Sequence, residues 1–298
     1  MFKTTRNIAI SLIGALVLGM PMTTAMEVGV SPPRFEVEIN NKTRSQSLNV
    51  TNLSSQPVEI KAYIRTWKTN EDNQLELAQS TEQSLDQWII FTPSRFTIPP
   101  RSSQTVRFAI RPKVKPTPGE HRAVLYLEEV PPGDKDSPFV MTVGRLGVII
   151  YGYSGEIKRV GKLNSLTVDT KPNKATAVFD ISSSGNAHVR VKGQYAIWAA
   201  AKYPGASATK AITNVGSASS KLPESVLSAA EIDLPAVLAG TRRRLLLPIN
   251  EKLPPGNYVL DINGELSGVP IDQGIPFTIP TSSASGQPTA KPVTTTKK

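Results

Sequence analysis

The chain has no cysteine and only two histidines, His121 and His188, among its 298 residues. Disulfide frameworks, thiol nucleophiles and zinc clusters built from Cys and His are thereby excluded. Also missing are a Gly-x-Ser-x-Gly elbow, a phosphate-cradling loop and a His-Glu-x-x-His pair, so the usual parts of an enzyme are absent. The expectation is a protein that is not an enzyme and needs no cofactor or metal. Aromatic residues make up 6% and charged residues 19%, against 39% hydrophobic. That balance is too apolar for a disordered chain and sufficient for a real core, split between two domains at this length.

What the chain has in quantity is punctuation. Twenty-five prolines and 20 glycines are spread along it, which suits many short strands joined by turns and predicts an all-β fold. The N-terminus has its own pattern: Lys3 and Arg6 precede an uncharged apolar run at 8–20, then Thr23-Thr24-Ala25. This reads as a cleaved secretory signal over residues 1–25, because the run is shorter than the roughly 20 residues a spanning helix needs. No stable membrane span is expected after cleavage. Losing two basic and no acidic residues takes the formal charge from +10 to +8, so the exported protein stays basic.

Apolar residues alternate with polar ones in Phe35-Glu36-Val37-Glu38-Ile39, as in a strand with one buried face. Further strands are expected over 48–53, 58–67, 105–110, 122–130 and 139–153. Seven or so strands in about 125 residues is the size of an immunoglobulin-like sandwich. The pattern then recurs. Strand, polar turn and strand at 50–61 return at 181–192, and Pro118-Gly119 before a strand is echoed by Pro255-Gly256. The expected organisation is a signal peptide (1–25), an N-terminal immunoglobulin-like sandwich (26–153), a second such sandwich (154–280) and a disordered Ser/Thr/Pro/Lys tail (281–298). The Ala/Ser/Gly-rich interval 203–228 reads as a mobile loop or a short helix around 224–230.

Nucleic-acid binding needs a basic stripe interleaved with aromatics. Here the positive residues are scattered, and in the one tight cluster, Arg242-Arg243-Arg244, strand alternation turns Arg243 away from its neighbours. No nucleic-acid partner is expected. Glu128 and Glu129 fall on opposite strand faces and cannot act on one atom, and each histidine reads as a surface or edge residue. Asn49-Val50-Thr51 and Asn52-Leu53-Ser54 match the glycosylation triplet, a pattern common by chance.

Four stretches between residues 29 and 151 resemble the periplasmic PapD-like chaperones of pilus and fimbria assembly. They are Val30-Ser31-Pro32-Pro33-Arg34-Phe35; Val50-Thr51-Asn52 with Pro57; the proline-marked Phe91-Thr92-Pro93-Ser94-Arg95-Phe96 continuing through Val106-Arg107-Phe108; and Gly119-Glu120-His121-Arg122-Ala123-Val124-Leu125-Tyr126-Leu127-Glu128-Glu129-Val130-Pro131-Pro132. The resemblance implies two immunoglobulin-like domains and a periplasmic location. It also implies that the protein binds pilus or fimbrial subunits, with an outer-membrane usher as a further partner, and lends the subunit a strand, so-called donor-strand complementation. Phe139, Met141 and Val143 form the alternating apolar row such a strand requires. Arg34 matches the family's anchor for the subunit's terminal carboxylate. The companion lysine does not carry over: Gly147 stands at the counted position, with Arg145 two residues earlier as a substitute. Glu120 matches the interdomain acid, while Gly152 replaces its expected basic partner. The competing expectation is a structural or adhesive envelope protein that uses tandem sandwiches as spacers. A carbohydrate-binding module is a third, for which Trp67, Trp88 and Trp198 are widely dispersed.

Overall fold

The structure, a computed structural model, describes residues 26–40, 45–70, 72–131, 143–217 and 220–281. The expected signal segment, Phe139, Met141 and the C-terminal tail lie outside the described residues.

Nine of the first eleven strands form two facing sheets, and the other two pair as a separate small hairpin. β1 (Val28–Ser31) and β2 (Arg34–Glu38) are separated by Pro32-Pro33, which have no N–H to give, and the chain switches sheet there. Then come β3 (Gln46–Asn52), β4 (Val58–Arg65), the small hairpin β5 (Trp67–Thr69) and β6 (Leu75–Leu77), β7 (Ile89–Thr92), β8 (Arg95–Ile98), β9 (Ser103–Ile110), β10 (Gly119–Val130) and β11 (Arg145–Ser154). One sheet runs β1-β3-β9-β7 and the other β2-β11-β10-β4-β8. Leu48, Ile60, Trp88, Phe108, Leu125 and Ile150 fill the space between them, each contributing roughly 1.5–3 kcal/mol by leaving water. Asn52, fully buried, ties the turn after β3 by donating its side-chain amide to the carbonyls of Gln56, Ile98 and Pro99. The triplet at Asn52 is thus a structural element of this turn.

The remaining strands build a second sandwich: β12 (Gly161–Lys171), β13 (Lys174–Ser183), β14 (Val191–Ala199), β15 (Val226–Glu231), β16 (Arg242–Ile249), β17 (Gly256–Leu266) and β18 (Val269–Ile279). Its sheets are β12-β13-β16 and β15-β14-β17-β18, packed on Phe179, Ile181, Ile197, Leu260 and Ile279. The helix considered around 224–230 does not form; Val226–Glu231 is strand β15, paired with β14. Residues ahead of it fold back over the sheet, where the Gln194 side chain bonds both the N–H and the C=O of Ile212 and so mimics a strand partner. No helix among the described residues is long and apolar enough to cross a membrane.

The two sandwiches meet through a small cluster of their own, in which Trp67, Val124, Tyr151 and Tyr153 of the first touch Ala187 and Leu238 of the second. Main-chain and side-chain bonds add to it. Glu120 N–H donates to Asn186 C=O at 2.9 Å, and in the β5–β6 hairpin Asn73 Nδ2 donates to Arg244 C=O at 2.8 Å. Gly119 is obligatory at this junction: its φ is +129°, and a Cβ would stand 2.9 Å from the Asn186 carbonyl.

Candidate strand-addition edge and interdomain cleft

The site is built on β11. Even-numbered residues Leu146, Val148 and Ile150 face the core of the first sandwich, so Arg145, Gly147, Ile149 and Tyr151 face outward, and Ile149 and Tyr151 pack in the cluster shared with the second sandwich. Main-chain groups alternate as well. Glu129 N–H donates to Gly144 C=O at 3.0 Å and Ile39 N–H donates to Tyr153 C=O at 2.7 Å. Even residues of β11 therefore direct their N–H and C=O groups to β10, and odd residues direct theirs to the other side.

On that other side the cover is incomplete. β2 pairs with β11 in parallel only from Ile149 onward, with Arg34 opposite Ile149 and Glu38 opposite Tyr153. From Arg145 to Val148, β11 has no strand beside it among the described residues. The N–H and C=O groups of Arg145 and Gly147 thus face an open edge. Just before it, Met26 packs so closely on Gly144 that a Cβ there would lie 2.2 Å from the Met26 side chain. Val143, the described member of the apolar row, is 43% exposed.

The two proposed anchors are not brought together. Arg34 lies beside Ile149, and its Nε is 3.5 Å from Glu36. Arg145 is four residues up the neighbouring strand, about 13 Å away along it. Its guanidinium turns back over the Tyr126 ring at 4.9 Å and donates to the Tyr63 hydroxyl at 3.3 Å. The Tyr63 hydroxyl donates in turn to Glu128 at 2.6 Å. Burial and the Glu128 carboxylate raise the Tyr63 phenol above its ordinary value, partly offset by Arg145. Gly147 is explained by the same array: a Cβ there would stand 3.0 Å from Val124 and 3.4 Å from the Tyr126 ring. Tyr126 occupies the room a lysine stem would need.

The histidines correct the expectation of surface residues, since His121 is 8% and His188 4% exposed. His121 lies between the carbonyls of Gln83 and Thr117 and against Trp88. His188, from the second sandwich, places Nδ1 2.6 Å from Glu120 Oε2, and its main-chain N–H donates to the same oxygen. Arg122 donates to the other Glu120 oxygen at 3.0 Å. Burial alone would raise the Glu120 carboxyl; the His188 bonds and charge, with Arg122, outweigh it and hold the group below its ordinary value. Glu120 therefore takes its cross-joint partner from His188. Position 152 could not supply one, because it faces inward and a Cβ there would stand 2.7 Å from Ile39. No sequence pattern marked His188, because the partner lies 68 residues away in the other sandwich.

Residues 29–146 match the family model described as pili and flagellar-assembly chaperone, PapD N-terminal domain. The chain has no match among curated sequences. Among solved structures it is similar to the CsuC–CsuE chaperone–tip adhesion subunit pre-assembly complex of archaic chaperone-usher Csu pili from Acinetobacter baumannii. That match has 13% identity and a TM-score of 0.40, covering 86% of this chain and 99% of that one. It is also similar to the SafA pilin–SafB chaperone complex of Salmonella enterica (12%, TM-score 0.38, covering 86% and 98%). A third is the CupB2 chaperone of Pseudomonas aeruginosa (13%, TM-score 0.40, covering 79% and 97%). Residues 29–146, most of the first sandwich, are thus similar to the PapD N-terminal domain of pili and flagellar-assembly chaperones.

Proposed function

We propose that this protein is a periplasmic chaperone that holds pilus or fimbrial subunits by adding the free edge of β11 to their incomplete sheets. The observation that carries the reading is the stretch Arg145 to Val148, where β2 has not yet joined, no other described strand lies on that side, and the main-chain groups of Arg145 and Gly147 face outward. An unpaired edge is a template for another chain, and strand addition uses those groups for affinity and alternating side chains for register. Val143, with Phe139 and Met141 ahead of it, supplies the apolar row, and Arg34 waits at the far end of the stretch for the subunit's terminal carboxylate. The function is binding, without chemistry on the subunit, and an outer-membrane usher is the further partner this role implies.

Arg145→Pro tests it. The substitution removes an N–H from the open edge and leaves the β10 ladder intact. Co-expressed with a pilus subunit that lacks a strand, tagged wild-type chain should be recovered in a one-to-one complex, and Arg145→Pro should be recovered alone while folded by circular dichroism. Equal recovery of the subunit with both would contradict strand addition and favour the spacer reading.

A further inference from the structure

The second sandwich carries a cavity that strand addition does not use. Tyr195, Ile197, Leu260 and Ile262 face its core, so Ala196 and Asp261 face out, in a cross-strand row that runs Ala229, Ala196, Asp261 and Gly274 over β15, β14, β17 and β18. Except for Asp261 these side chains are a methyl group or a hydrogen. Short residues in register leave a trough across the sheet. Tyr203 fills the Gly274 end so closely that a Cβ there would stand 2.3 Å from its hydroxyl, and the Ala196 end stays open as a cavity of about 580 Å³.

The roof is held in place. The Tyr203 hydroxyl donates to Asp261 Oδ1 at 2.7 Å, Asn263 Nδ2 reaches Thr209 Oγ1 at 3.4 Å, and Gln194 pairs with the main chain of Ile212. Residues 203–212 are therefore fixed over the sheet face.

The lining is mixed. Ala196 and Trp198 give it an apolar wall, Asp261 and Asn214 give it polar groups, and Lys210 and Lys221 line it from exposed positions. Trp198 Nε1 is buried and has no partner among the described residues, a costly state that an incoming oxygen would relieve. Asp261 is 1% exposed, and burial raises its carboxyl above the ordinary value. Tyr203, Asn263 and Thr209 bond it, fewer than the about four acceptor positions a carboxylate offers. An aromatic wall with a few convergent polar groups is the usual lining of a small-molecule site, and the volume falls in the usual range. Sugar hydroxyls suit these groups, because each can donate to Asp261 or accept from Trp198 and Asn214, while the C–H face of the ring suits the indole. The two ammonium groups favour a sugar that carries a carboxylate.

We infer that the second sandwich binds a short acidic saccharide in this cavity, with Trp198 and Asp261 holding the ring and Lys210 and Lys221 its carboxylate. The site does not depend on the open edge of β11, and it gives the second sandwich a ligand of its own.

The test titrates the full chain with methyl glucuronide and methyl galacturonide, each beside its neutral glycoside, and follows the Trp198 indole N–H signal by NMR, assigned by its loss in Trp198→Phe. At least one uronide should shift the signal saturably and bind about two- to fivefold tighter than its neutral counterpart, the scale of an exposed ion pair. Lys210→Ala combined with Lys221→Ala should erase that preference and leave the neutral glycoside's affinity unchanged. Ala196→Leu fills the cavity from its floor and removes no binding group, so it should abolish the shift in a chain still folded by circular dichroism; Ala196→Val serves if the leucine variant does not fold. No saturable shift with any of the four sugars, or a shift that survives filling of the cavity, would overturn the site. Equal affinity for acid and neutral sugars would overturn its acidic specificity.

Discussion

The long strands β11 and β18 occupy comparable places, each the hairpin partner of the strand before it, yet they present their outer sides differently. β18 is the last strand of its sheet, and it carries Pro270 and Pro276, residues that cannot donate to an incoming chain. β11 is sheltered by β2 over its second half and, among the described residues, bare over its first, and the bare part has no proline. One sandwich guards an edge and the other leaves one open. The lesson is that the open edge is a property of where β2 begins, which the Pro32-Pro33 switch between sheets determines.

The largest effects should come from the cores and sharpen the comparison by separating the two sandwiches. Phe108, packed edge-to-face on Phe35, and Phe179 are both essentially buried. Phe108→Ala and Phe179→Ala should each cost about 3–5 kcal/mol in urea unfolding. Phe108→Ala should also weaken subunit capture, because β9 backs the sheet that carries β11, whereas Phe179→Ala should spare capture where the chain remains folded.

Next comes the joint. Glu120→Ala leaves His188 and Arg122 facing each other without their shared acid, at about 3 kcal/mol, and should loosen the two sandwiches in small-angle scattering. The pH dependence follows in sign. A carboxyl held below its ordinary 4.5 contributes stability that is complete above that value and is lost as pH falls through the depressed one. Urea midpoints between pH 6 and pH 3 should therefore drop more steeply in wild type than in Glu120→Gln. A parallel drop in both would remove Glu120 from the joint. The smallest effect is expected of Arg145→Ala, which gives up a cation–π contact and an exposed ion pair at 3.9 Å from Glu128. The cost should stay within about 1 kcal/mol by the same unfolding measurement.

Much of the fold was legible because strand faces have a period of two. Phe35 and Val37, Leu48 and Val50, and Leu125 and Leu127 announce their burial by alternation, and each is in the core. Short pieces such as β5, β6 and β8 were not legible, since three or four residues carry too little pattern. The cleft was legible in part. Arg34 and Glu120 could be placed through family resemblance, but His188 acquires meaning only when the sandwiches meet, and no local spacing encodes its contact with Glu120 across 68 residues. Arg145 shows the reverse limit. Strand parity places it on the outward face of β11, yet its side chain is drawn to Tyr126, Tyr63 and Glu128.

The most direct measurement is native-state hydrogen exchange at four successive amides of β11, made on the free protein. The account expects fast exchange at Arg145 and Gly147, whose N–H groups face the open side, and slow exchange at Leu146 and Val148, which are bonded to β10. Slow exchange at all four would mean that the edge is already occupied, and the proposal that it is lent to a client would fail.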